Sequence, residues 1–317
     1  MLPMAGSRAC REQTYYVMGT VLTLEACGLG EPELDEVIGQ AYREIETVDE
    51  LMSVYRADSE ISRVNRRPIG TAVPLSQPTF DVLVEAVHIA EASQGAFDPT
   101  IGSLVKLWGF DRREPALPRP EALARSKAEV GFQYIRLDRR ATTIRLTRPG
   151  VEMDLGAIAK GYAVDRALSV LKAAGVTRAV VDLGESSVCL FDEADASIPF
   201  RIRNPSPRSI TFEIHEGCVA TSGSDQQGFE LDGRWLSHIL DPRSGWPVRD
   251  SISSTVVARI GQGMRADALA TAGFVAGPEG ALDLWQRLGV EGILLYRAAG
   301  TIQSVRTPGF PVSSTAP

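Results

Sequence analysis

The chain has 317 residues, 44% of them hydrophobic and 23% charged, which is typical of a globular protein that buries a sizeable core. A formal net charge of -7 provides no basic field for a phosphate backbone or an anionic membrane surface, so nucleic acid is excluded as an expected partner. No run of residues approaches the roughly 20 apolar residues of a membrane span.

The start of the chain and the cysteines bear on location. Residues 1–20 contain no uninterrupted apolar core of the kind that a signal peptide needs, which predicts a cytoplasmic protein for the sequence as written. An extracytoplasmic, membrane-associated location is the alternative if the N-terminus is truncated or mis-called. The cysteines form no CxxC pair and predict neither a zinc site nor a dense disulfide framework, so we interpret them as buried or free thiols: Cys10, Cys27, Cys189 and Cys218.

Helical patterns dominate the chain before residue 95. Apolar residues recur close to helical spacing over residues 31–53 and again over residues 79–93. Between these segments, Asp58 or Ser59 is placed to cap a short helix. Two amphipathic helices with a short capped helix between them are therefore expected.

The pattern changes to short strands between residues 133 and 156. The segments 134–138, 142–147 and 151–156 are rich in β-branched residues and separated by turn signals, which predicts an antiparallel meander. A helix is expected next, because alanines recur at i, i+4 and i+8 from Ala159. This flat alanine face can pack very close to a sheet.

The second half of the chain mixes strands with one further helix. Asp232-Gly233 is a strong hairpin signal within residues 229–241, and the second strand of this hairpin is expected to end at Asp241-Pro242. The other predicted elements are strands over 178–184, 253–260 and 291–297 and a helix over 264–277 that is closed by Gly277-Pro278. Since regular βαβ alternation is missing, the pattern predicts a single compact α+β unit with antiparallel or mixed sheets and packed helices.

Few side chains are candidates for chemistry. The chain has no Walker phosphate loop and no complete dinucleotide fingerprint, and its three histidines are too few for a His-rich metal site. His238 precedes an Asp-Pro turn near a predicted strand end, where side chains often line a cleft, although a structural role is the alternative. Asp267 and Thr271 lie four residues apart on one helical face, so they could bind Mg²⁺, although capping and packing are the alternative.

Six longer motifs occur in a distinctive order along the chain. They are YYVMGT, MSVYRADSEISRVN, GAFDPTIGSLVKLWGF, DLGAIAKGYAVD, HILDPRSG and MRADALATA. With these motifs the chain resembles the ApbE family, the Mg²⁺-dependent FAD:protein FMN transferases, from about residue 15 to residue 310. The resemblance implies an ApbE-like flavin transferase domain over residues 15–310, with flexible termini over residues 1–14 and 311–317.

The resemblance also implies roles for individual residues. Asp154 and Lys160 of the DLGAIAKG segment would contact FAD. The other flavin contacts would be Met18, Tyr55, Ala96, Phe97, Asp98 and Leu240. The Mg²⁺ ligands would be the backbone carbonyl of Ala157 and the side chains of Asp267 and Thr271. His238 would be the catalytic-site histidine, and we expect it to act as a base that the turn at Asp241 helps to orient.

The implied reaction transfers FMN from its substrate FAD to a Ser or Thr hydroxyl of an acceptor flavoprotein, with Mg²⁺ as cofactor and AMP as the leaving product. Family acceptors are often subunits of membrane redox complexes. Two alternatives stay open at this point. In an FAD pyrophosphatase, water would replace the protein hydroxyl, and in a non-catalytic FAD-binding protein the FAD would stay intact.

One segment departs from the family pattern. Where the family usually has a Gly-Gly pair, as in NLGG, this chain has VDLGESS, in which Glu185 and Ser186 follow Gly184. A missing glycine and an added carboxylate could narrow the pocket or change its charge. This departure is the feature that keeps the non-catalytic alternative open.

Overall fold

A large antiparallel sheet forms the centre of the fold in a computed structural model, which describes residues 9–112, 114–202, 210–224, 228–231 and 234–312. The strands, in chain order, are β1 (Cys10–Val17), β2 (Thr20–Cys27), β3 (Val73–Pro74), β4 (Ile135–Asp138), β5 (Thr143–Leu146), β6 (Arg178–Leu183), β7 (Ser187–Asp192), β8 (Ile198–Ile202), β9 (Ile210–Ile214), β10 (Glu216–Gly223), β11 (Gly228–Leu231), β12 (Arg234–Ser237), β13 (Ser251–Ala258), β14 (Glu291–Ala298) and β15 (Thr301–Arg306). Among the described residues, eight of these strands form one sheet in the order β1-β2-β6-β7-β10-β13-β14-β15. Every neighbouring pair in this sheet is antiparallel.

The burial of each strand follows its place in the sheet. Strand β7 lies near the middle and is buried from Ser187 to Phe191, which explains its continuous apolar sequence. The edge strand β1 alternates between exposed and half-buried residues along most of its length. It is joined to β2 by the two-residue turn Met18-Gly19, whose φ angles of 51° and 74° are both positive, as in a type I′ hairpin.

The helices are α1 (Glu31–Met52), α2 (Glu60–Arg66), α3 (Gln77–Ala92), α4 (Gly102–Trp108), α5 (Pro120–Glu129), α6 (Ala159–Ala173) and α7 (Gly263–Leu288). Helices α1, α2, α3, α6 and α7 contribute to the main core on one face of the sheet, whereas α4 and α5 pack in a separate cluster with the β11–β12 hairpin. Helix α6 packs between α1 and α7, and its alanines at positions 163 and 167 are fully buried in the main core. Small side chains on this face let the two long helices approach α6 closely.

The opposite face of the sheet carries a smaller core. The β8–β9 ribbon packs there, and its Phe212 joins Leu190 and Ile293 of the sheet in a separate hydrophobic cluster. Two further small sheets, β3-β5-β4 and β11-β12, lie outside the main one. The helices and the ribbon therefore bury both faces of the sheet, as the central strands require.

The helices predicted over residues 31–53 and 79–93 and the one beginning near Ala159 are confirmed as α1, α3 and α6. The cap of α2 is Ser59, whose Oγ accepts a hydrogen bond from the Ser62 N–H at 3.0 Å. The helix predicted over residues 264–277 is the first part of α7. Its predicted closure is visible as an interruption at Gly277, where φ is 74°, and a second helical segment then continues to Leu288.

Two strand predictions are wrong. Residues 151–156 form an extended loop rather than the third strand of a meander, because β3 takes that place beside β5. Strand β12 ends at Ser237 rather than at Asp241-Pro242, since the Ser237 Oγ accepts the Ile239 N–H at 2.9 Å and turns the chain. The hairpin of β11 and β12 is confirmed, but its predicted turn Asp232-Gly233 lies outside the described residues.

The interpretation of the cysteines as buried or free thiols is also wrong. Cys10 is bonded to Cys27 and Cys189 to Cys218. In both pairs the sheet places the two residues directly opposite each other on neighbouring strands, β1 with β2 and β7 with β10. Because the partners are 17 and 29 residues apart in the chain, only the strand register brings them together.

The predicted α+β class is confirmed by these antiparallel sheets with packed helices. Strand β1 begins at Cys10, so the domain start predicted at residue 15 falls inside a strand, and residues 10–14 belong to the sheet. In the described ranges, no helix combines the length and the apolar character needed to cross a membrane.

Candidate active site

One cleft, with a volume of about 940 Å³, collects nearly all of the predicted site residues. It lies where the β1–β2 turn, the loop before α6, the end of β10 and the loop after β12 meet. Its size is at the upper end of the range for ligand sites, as a dinucleotide requires. The predicted residues that line it are Met18, Tyr55, Ala96, Phe97, Asp98, Asp154, Ala157, Lys160, His238, Leu240, Asp267 and Thr271.

Two predicted flavin contacts lie near the mouth of this cleft. Met18 lies in the β1–β2 turn with a φ of 51°, a conformation that costs energy for a residue with a side chain. Tyr55 is 73% exposed, although its ring lines the cleft. An exposed aromatic ring and a flexible thioether offer an apolar surface against which a planar ring system could pack.

The run Ala96–Asp98 is buried beneath the cleft. The Asp98 carboxylate accepts hydrogen bonds from the N–H and hydroxyl of Thr100, at 2.9 and 2.6 Å, and from the Phe132 N–H at 2.8 Å. Burial raises the pKa of Asp98, and these hydrogen bonds oppose that effect. The side chain therefore ties two loops together, while Ala96 and Phe97 form part of the cleft wall.

The DLGAIAKG segment forms the loop that leads into α6. The Asp154 N–H donates to the Pro99 carbonyl at 2.8 Å, and the Asp154 Oδ1 accepts the Gly156 N–H at 2.8 Å. Burial raises the pKa of the Asp154 carboxyl. On the first turn of α6, the Lys160 Nζ donates to the Ser186 Oγ at 2.6 Å. These bonds hold a carboxylate and an ammonium group in the lining of the cleft.

Helix α7 presents Asp267 and Thr271 to the same space. Asp267 is 6% exposed, and its Oδ2 accepts the Gly161 N–H at 2.9 Å. Burial raises its pKa, while the charge of Lys160 and the Gly161 N–H lower it. The Thr271 Oγ1 lies 2.9 Å from the Ser222 Oγ on β10. A buried carboxylate and an oriented hydroxyl thus face the cleft from successive helical turns.

This donor set fits a magnesium ion. The Asp267 carboxylate, the Thr271 hydroxyl and the Ala157 carbonyl are all oxygen donors of residues that line one cleft. Within the part of the chain that the structure describes, the buried Asp267 carboxylate forms no salt bridge, and the charge of Lys160 compensates its charge only in part. A divalent cation would supply the missing positive charge and satisfy the hard-ligand preference of the site.

His238 is half-buried and lines the cleft just beyond the end of β12. Asp241, by contrast, is the predicted residue that does not line the cleft, among those the structure describes. Its two carboxylate oxygens accept from the Arg243 guanidinium, at 2.9 and 3.2 Å, and its Oδ1 also accepts the Arg243 N–H at 2.9 Å. Asp241 therefore orders the turn that follows His238.

Comparison with known proteins identifies the family. A model described as the ApbE family matches residues 18–294. The chain belongs to the ApbE family. An FAD:protein FMN transferase of Vibrio cholerae is 34% identical over 245 residues, which cover 75% of this chain and 72% of that protein. One of Haemophilus influenzae is 30% identical over 312 residues, covering 91% of this chain and 89% of that protein.

Solved ApbE structures share the whole fold. The apo crystal structure of the Pseudomonas stutzeri flavinyl transferase ApbE matches with a TM-score of 0.85 and 28% identity, covering 96% of this chain and 97% of that one. The flavin transferase ApbE from Vibrio cholerae also gives a TM-score of 0.85, at 27% identity over 96% of this chain and 99% of that one. The likeness therefore spans all layers of the fold.

Of the two residues that depart from the ApbE pattern, Ser186 lines the cleft and Glu185 does not. Glu185 has a φ of 55°, so the chain keeps the backbone conformation that a glycine adopts without cost. Its side chain lines a second cleft of about 810 Å³ beside the β8–β9 ribbon, whereas Gly184 and Ser186 line the first. The expected change in the flavin pocket is thus reduced to Ser186, which accepts the hydrogen bond from Lys160.

Two serine contacts in this cleft carry no sequence signal, although Ser186 lies in the VDLGESS segment that departs from the family pattern. Ser222 contacts Thr271, and Ser186 contacts Lys160. Neither serine lies in one of the six motifs, and a serine in a strand or a turn carries no chemical signal by itself. Only the antiparallel pairing of β7 with β10 brings these segments beside α6 and α7.

Proposed function

We propose that this chain transfers FMN from FAD to a Ser or Thr hydroxyl of an acceptor flavoprotein, with Mg²⁺ bound and with release of AMP. Transfer of FMN from FAD to a protein is the activity that names its relatives. The observation that carries the finer proposal is the convergence of Asp267, Thr271, the Ala157 loop and His238 on one cleft.

The reaction breaks one phosphoanhydride bond and forms one phosphoester bond. The acceptor hydroxyl oxygen attacks the FMN phosphorus, the bridging oxygen leaves with AMP, and the hydroxyl proton must be removed. Bound Mg²⁺ would neutralise charge on the diphosphate and on the leaving phosphate. In such phosphoryl transfers, positioning and electrostatic stabilisation supply most of the rate enhancement.

Three side chains of this chain carry the remaining roles. His238 would accept the hydroxyl proton, because neutral imidazole is the base available near neutral pH. Lys160, held by Ser186, would place its ammonium beside the phosphates. Asp154 would contact FAD from the loop that its own Gly156 bond shapes.

The flavin ring would pack near the mouth of the cleft. Met18 and Tyr55 would supply apolar surface there, and the buried side chains of Phe97 and Leu240 would contribute to the cleft wall. Leu240 is held by an isolated bridge to Pro247, so the loop that carries His238 also positions this wall. Ala96 and Asp98 would contribute through the backbone of their buried loop, with Asp241 ordering the turn after His238.

The acceptor, the location and the domain limits belong to the same proposal. The acceptor would be a flavoprotein, with subunits of membrane redox complexes as the first candidates. The catalytic unit would span residues 15–310, and strand β1 would extend it to Cys10. A cytoplasmic site of action, with an extracytoplasmic membrane-associated one as the alternative, is testable by cell fractionation of the native gene product.

The test uses the purified chain, FAD, Mg²⁺ and a candidate acceptor domain, with Asp267→Ala as the matched variant. The intact mass of the acceptor and the release of AMP are followed together. A mass gain of one FMN that requires Mg²⁺ and Asp267 supports the proposal. AMP and free FMN with each tested acceptor unmodified would favour a pyrophosphatase, and intact FAD would favour a binding protein.

A further inference from the structure

Helices α6 and α7 meet backbone to backbone at two glycines. A Cβ atom on Gly161 would lie 2.2 Å from the Gly263 carbonyl oxygen, and one on Gly263 would lie 2.8 Å from the Gly161 carbonyl oxygen. No side chain fits between these turns. The start of α7, four residues before Asp267, is therefore pressed against the first turn of α6.

Two aspartates, one on each helix, accept hydrogen bonds across this contact. Asp267 of α7 accepts the Gly161 N–H of α6 at 2.9 Å. Asp165 of α6 accepts the Gly263 N–H at 2.8 Å and the Met264 N–H at 2.9 Å, both at the start of α7. Each carboxylate thus satisfies amides of the other helix that have no partner within their own helix.

These bonds replace the usual caps. The residues before the two helices, Ile158 and Gln262, make no side-chain capping bond. Asp165 acts instead as a bidentate cap supplied by the neighbouring helix, a role for which a carboxylate at a helix N-terminus is well suited. Its second oxygen fixes the orientation of α7 about its axis as well as its position.

Burial of the charged Asp165 carboxylate is energetically unfavourable. It is 9% exposed, and burial raises its pKa to about 6, with the neighbouring charge of Asp267 acting in the same direction. The two backbone N–H groups are the interactions that lower its pKa. The bonds to α7 therefore carry most of the compensation for this buried charge.

We propose that Asp165 is a positioning residue for the metal site: by holding the first turn of α7, it sets where Asp267 and Thr271 stand relative to the Ala157 loop. This inference rests on the proposed function, because it assumes that these oxygens bind a divalent cation. Removal of a group that orients metal ligands typically weakens metal affinity by about 10- to 100-fold.

The experiment titrates Mn²⁺, as a stand-in for Mg²⁺, onto the full chain without FAD and measures the free ion by electron paramagnetic resonance. Four proteins are compared: wild type, Asp165→Ala, Asp165→Asn and Asp138→Asn. Asp138 is a matched control because its Oδ1 also accepts two backbone N–H groups, those of Arg140 and Ala141, at the turn between β4 and β5 in a separate sheet. FAD affinity without metal is measured in parallel by flavin fluorescence.

We expect Asp165→Ala to weaken Mn²⁺ binding by about 10-fold or more and to change FAD affinity less than about twofold. Asp165→Asn keeps one acceptor oxygen and should lie between wild type and Asp165→Ala, while Asp138→Asn should match wild type. This selective loss separates a positioning role from a general loss of structure, which would lower the affinity for both Mn²⁺ and FAD.

If folded Asp165→Ala binds Mn²⁺ with wild-type affinity, the inference about Asp165 is overturned and the proposed function is not. An equal loss of Mn²⁺ and FAD affinity also overturns only the inference. If Asp165→Ala does not fold, Asp165→Asn decides by the same two measurements. A wild-type chain that binds no Mn²⁺ overturns the proposed metal site, and the inference with it. The failure of the inference and the failure of the proposed function therefore give different results.

Discussion

The two ends of the cleft are built differently. At the inner end, Asp267 is buried and hydrogen-bonded to another helix, and the Thr271 hydroxyl is paired with Ser222. At the mouth, Tyr16 and Tyr55 are 71% and 73% exposed. The inner end is a network of fixed polar atoms, while the mouth is an open aromatic rim.

This difference matches the proposed division of labour. Phosphoryl transfer needs the attacking oxygen, the phosphorus and the leaving group held in line, and a misplacement of about 1 Å can lower the rate by about 10²-fold, so a fixed polar framework is required. A flavin ring needs apolar contact area, which tolerates small displacements. Changes at the inner end should therefore reduce turnover, and changes at the rim should alter substrate affinity.

The largest effect is expected from Asp267→Ala, which removes the proposed charged metal ligand. We expect kcat for FMN transfer to fall by about 10³-fold, as when one charge-stabilising group is removed from an active site. Steady-state AMP release over a range of Mg²⁺ concentrations measures it. Asp283→Ala is the control, since Asp283 lies on the same helix in an exposed pair with Arg287. Full activity in Asp267→Ala would contradict the assignment of the inner end.

His238→Ala should have the next largest effect. Loss of a general base typically lowers kcat by about 10²-fold or more, and the rise of kcat with pH near the histidine pKa should disappear. His88→Ala serves as the control because His88 is an exposed residue of α3. A variant that lacks His238 but keeps both the rate and the pH profile of wild type would assign the base elsewhere.

Stability should depend on pH because of Asp165. Its pKa rises from 3.8 to about 6 on folding, so the folded state binds the proton more tightly than the unfolded chain. The free energy of unfolding should therefore fall as pH rises from about 4 to about 6 and stay level above that range. The full change is at most about 3 kcal/mol.

Urea unfolding of wild type and Asp165→Asn without divalent cations isolates this contribution, because asparagine does not titrate. Wild-type stability relative to the variant should decline between pH 4 and pH 6. A constant difference across that range would show that Asp165 titrates alike in the folded and unfolded chains. Burial of the Asp165 carboxylate would then not reduce the free energy of unfolding.

The smallest effect is expected at the rim. Tyr55→Ala should raise the KM for FAD by less than about 10-fold and leave kcat close to wild type. The reason is that stacking of one aromatic side chain on the flavin ring contributes about 1 kcal/mol to the free energy of binding. Tyr55→Phe keeps the ring and should behave as wild type. A 10²-fold loss of kcat in Tyr55→Ala would mean that the rim also positions the reacting groups.

The sequence predicted the elements whose periodicity is set by burial on one face. Helix α1 buries Leu34, Ile38 and Ile45 at the expected spacing, and α6 buries its alanines. Predictions from the sequence were wrong where a contact between distant segments decides the local structure. Residues 151–156 have strand-like composition, but they lie in a loop because β3 takes the place beside β5, and Asp154 bonds Pro99 and Gly156 instead.

The site residues, too, could be predicted only where the neighbouring sequence defines them. Asp267 and Thr271 could be paired from their spacing on one helix, and His238 could be placed from the turn after it. The partners that orient them could not be found in this way. Ser222 reaches Thr271 through strand pairing, and Asp165 reaches Gly263 across 98 residues of chain. The disulfides also depend on register, which no spacing rule reveals.

A crystal structure with FAD and Mn²⁺ would locate the metal ion and both ends of FAD. We expect an anomalous peak at about 2.0–2.2 Å from an Asp267 carboxylate oxygen, the Thr271 hydroxyl and the Ala157 carbonyl, with the FAD diphosphate bound to the same ion and the flavin ring against Tyr55. A metal ion bound elsewhere in the cleft, or FAD with its diphosphate at the rim and its flavin ring at Asp267, would contradict this expectation.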